Sequence, residues 1–271
     1  MKGAFLLFLL SLKRSRFLLG TTGLLLAAVQ VMRVLIAASI YHDRQFDAIS
    51  ALIPDHVRGI IGPALSSIMT FDGLVSGVYF DTGFVIAILA VAIAVATIPA
   101  SEIETGFADL VLARPLSRHW LITRTITVVL FAVVFMLTML GAGTLAGLAL
   151  FAPADAPWPS LSLTATLALS LAMLTLAWSG IAMALGAGCR RGFACTVTSL
   201  FAFAALILDW AHRLHPSLDW IAWLSPFSYF QPYDLVAGGP LRLDNLLILW
   251  AIAITGYVLA YLIILQRDIS R

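Results

Sequence analysis

Residues 84–135 read FVIAILAVAIAVATIPASEIETGFADLVLARPLSRHWLITRTITVVLFAVVF. The runs at either end are apolar and continue outward to about the 20 helical residues that a hydrocarbon core requires. Between them, residues 100–118 carry Glu102, Glu104, Asp109, Arg114 and Arg118, a charge density that hydrocarbon does not accept. The chain therefore crosses a membrane, leaves it as a polar knob and crosses back. Ser101 followed three residues later by Glu104 has the form of a capping box, and the early acids suit the positive end of a helix dipole. Arg114 and then Pro115 predict a stop at about Ala113. The expected knob is a short polar helix with a defined outer face.

Composition extends this reading to the whole chain. It is 61% hydrophobic and 11% charged, with a mean hydropathy of +1.01, against about a quarter charged in ordinary globular domains. Six apolar runs recur, at about 17–40, 74–98, 120–151, 161–187, 193–208 and 246–265. They are continuously apolar and do not alternate, which favours helices over a barrel. The fifth is the shortest, with Asp209 and Trp210 expected at its headgroup-level end. The fold class is an all-α polytopic membrane protein: six transmembrane helices in one domain over 1–271, an N-terminal interfacial helix and a helical cytoplasmic knob.

Counting cations in alternate loops sets the orientation. Lys2, Lys13, Arg14, Arg16, Arg114, Arg118, Arg124, Arg190, Arg191, Arg267 and Arg271 fall on one side. Arg44, Arg58, Arg213 and Arg242 fall on the other. Both termini and the knob are expected to be cytoplasmic, in a cell inner membrane. The net charge of +2 follows from this topology and does not point to nucleic acid. The stretch AFLLFLLSL leads into KRSR with no small-x-small cleavage site, so it is not read as a signal peptide. Residues 1–16 read either as an interfacial helix beside anionic lipid or as a start-transfer element.

The chain holds little chemistry of its own. Its only lysines are Lys2 and Lys13, and no GxxxxGK[ST] phosphate loop is present, so any ATP must be hydrolysed elsewhere. Cys189 and Cys195, in CRRGFAC, fit no zinc or redox spacing. His212 and His215 read as interfacial packing rather than metal ligands. Ser76 in GLVSGV, and Asp234 with the segment Pro63-Ala64-Leu65, lack the pattern of an intramembrane protease. No catalytic residue, metal or cofactor of this chain is expected.

Arg33 is the one full charge well inside an apolar run, a position that marks a partner or a function. Two readings stand: it snorkels to the headgroups past Tyr41, or it faces a translocation path or pairs with Asp81. The loop 209–244 collects Trp210, Trp220, Trp223, Phe227, Tyr229, Phe230 and Tyr233. Its centre, LSPFSYFQPYD, holds two prolines and is expected to form a short helix that dips into the interface and returns, as an anchor or as a contact for a transported molecule.

With these residues in place, the chain resembles the permease subunits of type-2 ATP-binding-cassette (ABC) transporters. The resemblance lies in Glu102, Glu104, Gly106, Leu110, Leu112, Ala113, Arg114, Pro115, Leu116, Ser117 and Arg118, and more weakly in SPFSYF and the ending QRDISR. Thr105 departs from the charged residue of many relatives. The resemblance implies that the knob is a coupling helix docking in a separate cytoplasmic ATP-binding-cassette subunit, which binds the ATP and magnesium. Leu110, Leu112 and Arg114 would supply buried surface there, and Glu102 and Arg118 the register. Arg190 and Arg191 would make a second contact, or mark a plain turn held inside. A second permease copy, forming a homodimer, and export follow by the same resemblance. An ion-coupled secondary carrier and a non-transporting regulatory subunit are the other classes kept open.

Overall fold

A computed structural model describes residues 2–42, 65–106 and 119–266, and all regular structure among them is helical. The elements are α1 (Lys2–His42), α2 (Leu65–Ile68), α3 (Phe71–Ser76), α4 (Thr82–Ala96), α5 (Ile98–Glu104), α6 (His119–Phe151), α7 (Leu161–Gly188), α8 (Arg191–Leu214), α9 (Asp219–Ala222), α10 (Pro232–Val236) and α11 (Leu243–Gln266). Six runs are long and apolar enough to cross a membrane: Ser11–His42, Phe71–Glu104, His119–Phe151, Leu161–Gly188, Arg191–Leu214 and Leu243–Gln266. The chain is thus an all-α, multi-pass protein by length and composition.

Local sequence explains where these runs depart from expectation. Residues 2–16 are not a separate helix but the first turns of α1, which stays unbroken for 41 residues; no glycine or proline lies between Ala4 and Leu19. At 1.5 Å per residue α1 is about 60 Å long, twice a hydrocarbon core. The second run is composite. A 3₁₀ turn, Gly77–Tyr79, follows α3, and Asp81 caps α4 by accepting from the Gly83 N–H at 2.9 Å. Pro99, which lacks an N–H and cannot continue an α-helical ladder, separates α4 from α5 at Thr97.

The capping-box reading of Ser101 is overturned, because Ser101 lies inside α5, whose N-cap is Thr97. Nor does one helix run from Ser101 to Ala113. It ends at Glu104, and Gly106 takes the left-handed backbone (φ 70°) that favours glycine after a helix, its N–H donating to the Ile103 carbonyl at 3.2 Å. Leu110, Leu112, Arg114, Pro115, Ser117 and Arg118 lie outside the described residues. The fifth run continues past Asp209 to Leu214, because Arg213, one turn on, neutralises that acid.

The bundle is built from two tight pairs, α1 on α6 and α7 on α11, joined by α4, which packs on α6, α7 and α8. Small residues allow the close crossings that helix association in lipid relies on. A Cβ on Gly143 of α6 would lie 2.6 Å from the Ala27 carbonyl oxygen of α1. On Gly256 of α11 it would lie 2.5 Å from that of Gly180 on α7. Polar clasps lie beside these crossings. Gln30 Nε2 donates to Thr144 Oγ1 at 3.0 Å and to the Val75 carbonyl at 3.2 Å. The Ser179 and Tyr257 hydroxyls meet at 2.7 Å.

Candidate functional site

The described start of the knob holds both its acids in contacts with neighbouring helices, Glu102 buried and Glu104 exposed. Glu102 is almost fully buried and pairs with the equally buried Arg124 near the start of α6, whose Nη2 donates to Glu102 Oε2. Glu104 Oε1 accepts from the backbone N–H of Arg191, the first residue of α8, so a carboxylate sits at the positive end of that helix. The Arg191 side chain reaches the Ala94 carbonyl of α4 at 3.4 Å, and Thr97 Oγ1 lies 3.0 Å from Cys195 Sγ on α8. Arg190, by contrast, is exposed. Thus α5 is clamped to α6 on one side and α8 on the other. Glu102 and Glu104 fasten this end of α5 to α6 and α8.

At the opposite end of the second run, Arg33 and Asp81 come together. Arg33 Nη1 donates to Asp81 Oδ2 at 2.8 Å, and its Nε donates to the Leu74 carbonyl at 3.0 Å. The guanidinium thereby satisfies a carbonyl of α3 where the helix is interrupted. Pairing, not snorkelling alone, accounts for its position.

Between α4 and α8 runs a cleft in two parts. The inner part, about 190 Å³, sets Ile86, Leu89, Ala90 and Ile93 against Ser199, Ala202, Phe203 and Leu206. The outer part is lined by Phe80, Thr82, Asp209, Trp210, Arg213, Phe230 and Tyr233, and the two share Leu206 and Phe227. Phe227 arrives there because the segment after α8 folds back. Ser225 Oγ donates to the Ala205 carbonyl at 2.9 Å, nine residues or about 14 Å of helix before the end of α8. The Phe227 ring then packs 5.8 Å from that of Trp178 on α7. The segment LSPFSYFQPYD thus returns along α8 to reach α7.

Charge in the outer part is fixed. Arg213 Nε donates to Asp209 Oδ2 at 2.9 Å, and the guanidinium lies over the Tyr233 ring at 5.3 Å. Phe80 meets the same ring edge-on at 5.2 Å. Burial raises the Tyr233 phenol above its usual value, with Arg213 opposing, so the hydroxyl stays protonated at neutral pH. Another groove, about 620 Å³ between α7, α8 and α11, carries no charged residue.

Sequence reasoning missed Arg124 as the partner of Glu102, since nothing in the spacing of the two residues marks a pair. It also missed the Asp209–Arg213 pair, although their i,i+4 spacing signals one on a helix. No group of three metal-ligating residues occurs among the described residues.

These features are those of a helical protein with six runs long and apolar enough to span a membrane, the second clamped at its Glu104 end and facing the fifth across a cleft. Residues 62–271 match the family DUF2705, a protein of unknown function, and the chain belongs to that family. No curated protein matches it.

Proposed function

We propose that the chain is the membrane-spanning permease subunit of an ABC transporter, an exporter driven by a separate cytoplasmic ATPase. It works as a homodimer in the cytoplasmic membrane with both termini inside. The observation that carries this reading is the clamp on α5. A push on the loop after Gly106 is delivered through Glu102–Arg124 to α6 and through Glu104–Arg191 to α8, one wall of the cleft. A ligand moves such an equilibrium only through contacts that differ between its states, and a helix end fastened to two spans would carry them. Arg114 and its neighbours make the docking contact, and ATP with magnesium is held by the partner. The cleft between α4 and α8 is the path.

The test is purification of the tagged chain from its native membrane in mild detergent. A companion chain with a GxxxxGK[ST] loop and magnesium-dependent ATPase activity is expected, and Arg114→Glu is expected to release it. A chain that purifies without such a companion, or an unchanged complex with Arg114→Glu, contradicts the reading.

One observation favours an ion-coupled carrier: the interrupted second span with its Arg33–Asp81 pair, since broken helices mark ion sites in such carriers. The interruption lies toward one end of Phe71–Glu104, not at its middle, where carriers place such sites. Collapse of nucleotide-independent uptake by an ionophore would support this second reading.

A further inference from the structure

We propose that the α4–α8 cleft binds one phospholipid from the leaflet at its Asp209 end, with the phosphate on Arg213 and an acyl chain in the inner part. This deepens the reading of the cleft as the path and rests on it for the lipid's role as cargo. The binding itself requires no ATPase.

Three observations converge on this ligand. The first is depth. From Ser199 to Asp209 the cleft follows α8 for ten residues, about 15 Å, which is half of a hydrocarbon core of about 30 Å. The cleft as a whole is therefore about as deep as one leaflet, and its apolar part, Ser199 to Leu206, covers about 10 Å of that. The second is shape. The inner part, about 190 Å³, falls below the roughly 300–1,000 Å³ of pockets for compact ligands and suits a single alkyl chain. Trp210 and Tyr233 stand at its charged end, where aromatic side chains meet headgroups.

The third is charge. Both acids near the mouth are already paired, Asp209 with Arg213 and Asp81 with Arg33. The Asp209 side chain is only 7% exposed, whereas that of Arg213 is 19% exposed. A guanidinium has five N–H donors, and Asp209 engages Nε and, at 3.5 Å, Nη2. The pair is neutral overall, but the groups it leaves open are guanidinium N–H donors on the more exposed partner, which suit a phosphate oxygen. A cationic headgroup would find its carboxylates occupied.

The experiment uses the full chain in vesicles of phosphatidylethanolamine and phosphatidylglycerol, without nucleotide. A phospholipid with a diazirine in one acyl chain is the probe, and a diacylglycerol with the same chain but no phosphate is the comparison. Photolabelling by the phospholipid is expected to concentrate on residues 86–93 and 199–206 and to exceed that by the diacylglycerol about tenfold, as loss of a charge-assisted contact implies. Asp209→Asn with Arg213→Gln keeps the mouth neutral without leaving a buried charge alone, and should bring the phospholipid down to the diacylglycerol level. Ala90→Phe alters an exposed wall position and should lower labelling by both probes, with thermal unfolding unchanged. Labelling spread evenly over the spans, equal labelling by the two probes, or labelling untouched by both variants overturns the site. If the site stands while the companion ATPase is missing, the transport reading falls and the lipid site does not.

Discussion

Glu102 and Arg124, 22 residues apart, form an ion pair whose side chains are only 3% and 2% exposed. Removing one partner of such a pair strands a charge out of water, at a cost of about 3–5 kcal/mol, whereas replacing both with apolar residues of similar size is near neutral or favourable. Glu102→Ala and Arg124→Ala should each lower stability by that amount, and Glu102→Leu with Arg124→Met should recover it. Thermal unfolding in detergent measures this. Stability unchanged by the single substitutions would mean that the pair does not fasten α5 to α6.

Gly106 stands just beyond α5 at φ 70°, a backbone that a β-branched residue does not adopt without strain. Gly106→Val should redirect the chain after α5 while leaving membrane insertion intact. Arg114→Glu should act on the same loop through charge. Both should leave expression near wild type and abolish coupling to the ATPase. ATP hydrolysis by the purified complex is the readout, and wild-type stimulation in either variant would count against the loop as the point of drive.

Arg33 and Asp81 should behave as an interacting pair. A cycle of Arg33→Ala, Asp81→Ala and the double substitution should return a coupling of about 0.5–3 kcal/mol, the range for contacting residues. A snorkelling Arg33 would give additive single effects. Unfolding by denaturant in mixed micelles distinguishes the two.

At the α7–α11 crossing, Gly256→Leu must push the helices apart, because its Cβ would fall 2.5 Å from the Gly180 carbonyl oxygen. A loss of about 1–3 kcal/mol is expected from such overpacking. Gly192, whose Cβ would meet nothing within 4 Å, supplies the contrast: Gly192→Ala in α8 should be neutral or slightly stabilising. Melting temperatures of the two variants should move in different directions or by clearly different amounts.

The spans were legible because length and apolar content decide them locally. The third and fourth runs fall within a residue of expectation at each end. What failed was local reasoning overridden by contacts across the bundle. The Ser101-x-x-Glu104 pattern looked like a helix start because both residues suit one, yet Glu104 is engaged by α8 and the helix begins earlier, at the break that Pro99 imposes. Asp209 and Trp210 read as a span end because aromatic residues settle at headgroup level, and the helix runs on to Leu214 with Asp209 paired to Arg213. Arg33 was open to two readings because a side chain's reach does not tell which group meets it. The cleft was not legible at all. It depends on Phe227 being carried back beside α8 by the Ser225 hydroxyl bond to Ala205, a relation between residues 20 apart.

On the proposed function, an external ATPase moves α4 against α8. Spin labels at Ile86 and Phe203, on opposite walls of the cleft, introduced as cysteines in a chain with Cys189 and Cys195 replaced by alanine, report it by pulsed electron resonance in proteoliposomes containing the companion ATPase. The distance distribution should shift on adding ATP with magnesium and return after hydrolysis, and it should not shift with Arg114→Glu. A distribution indifferent to nucleotide but responsive to an ion gradient would contradict the claim.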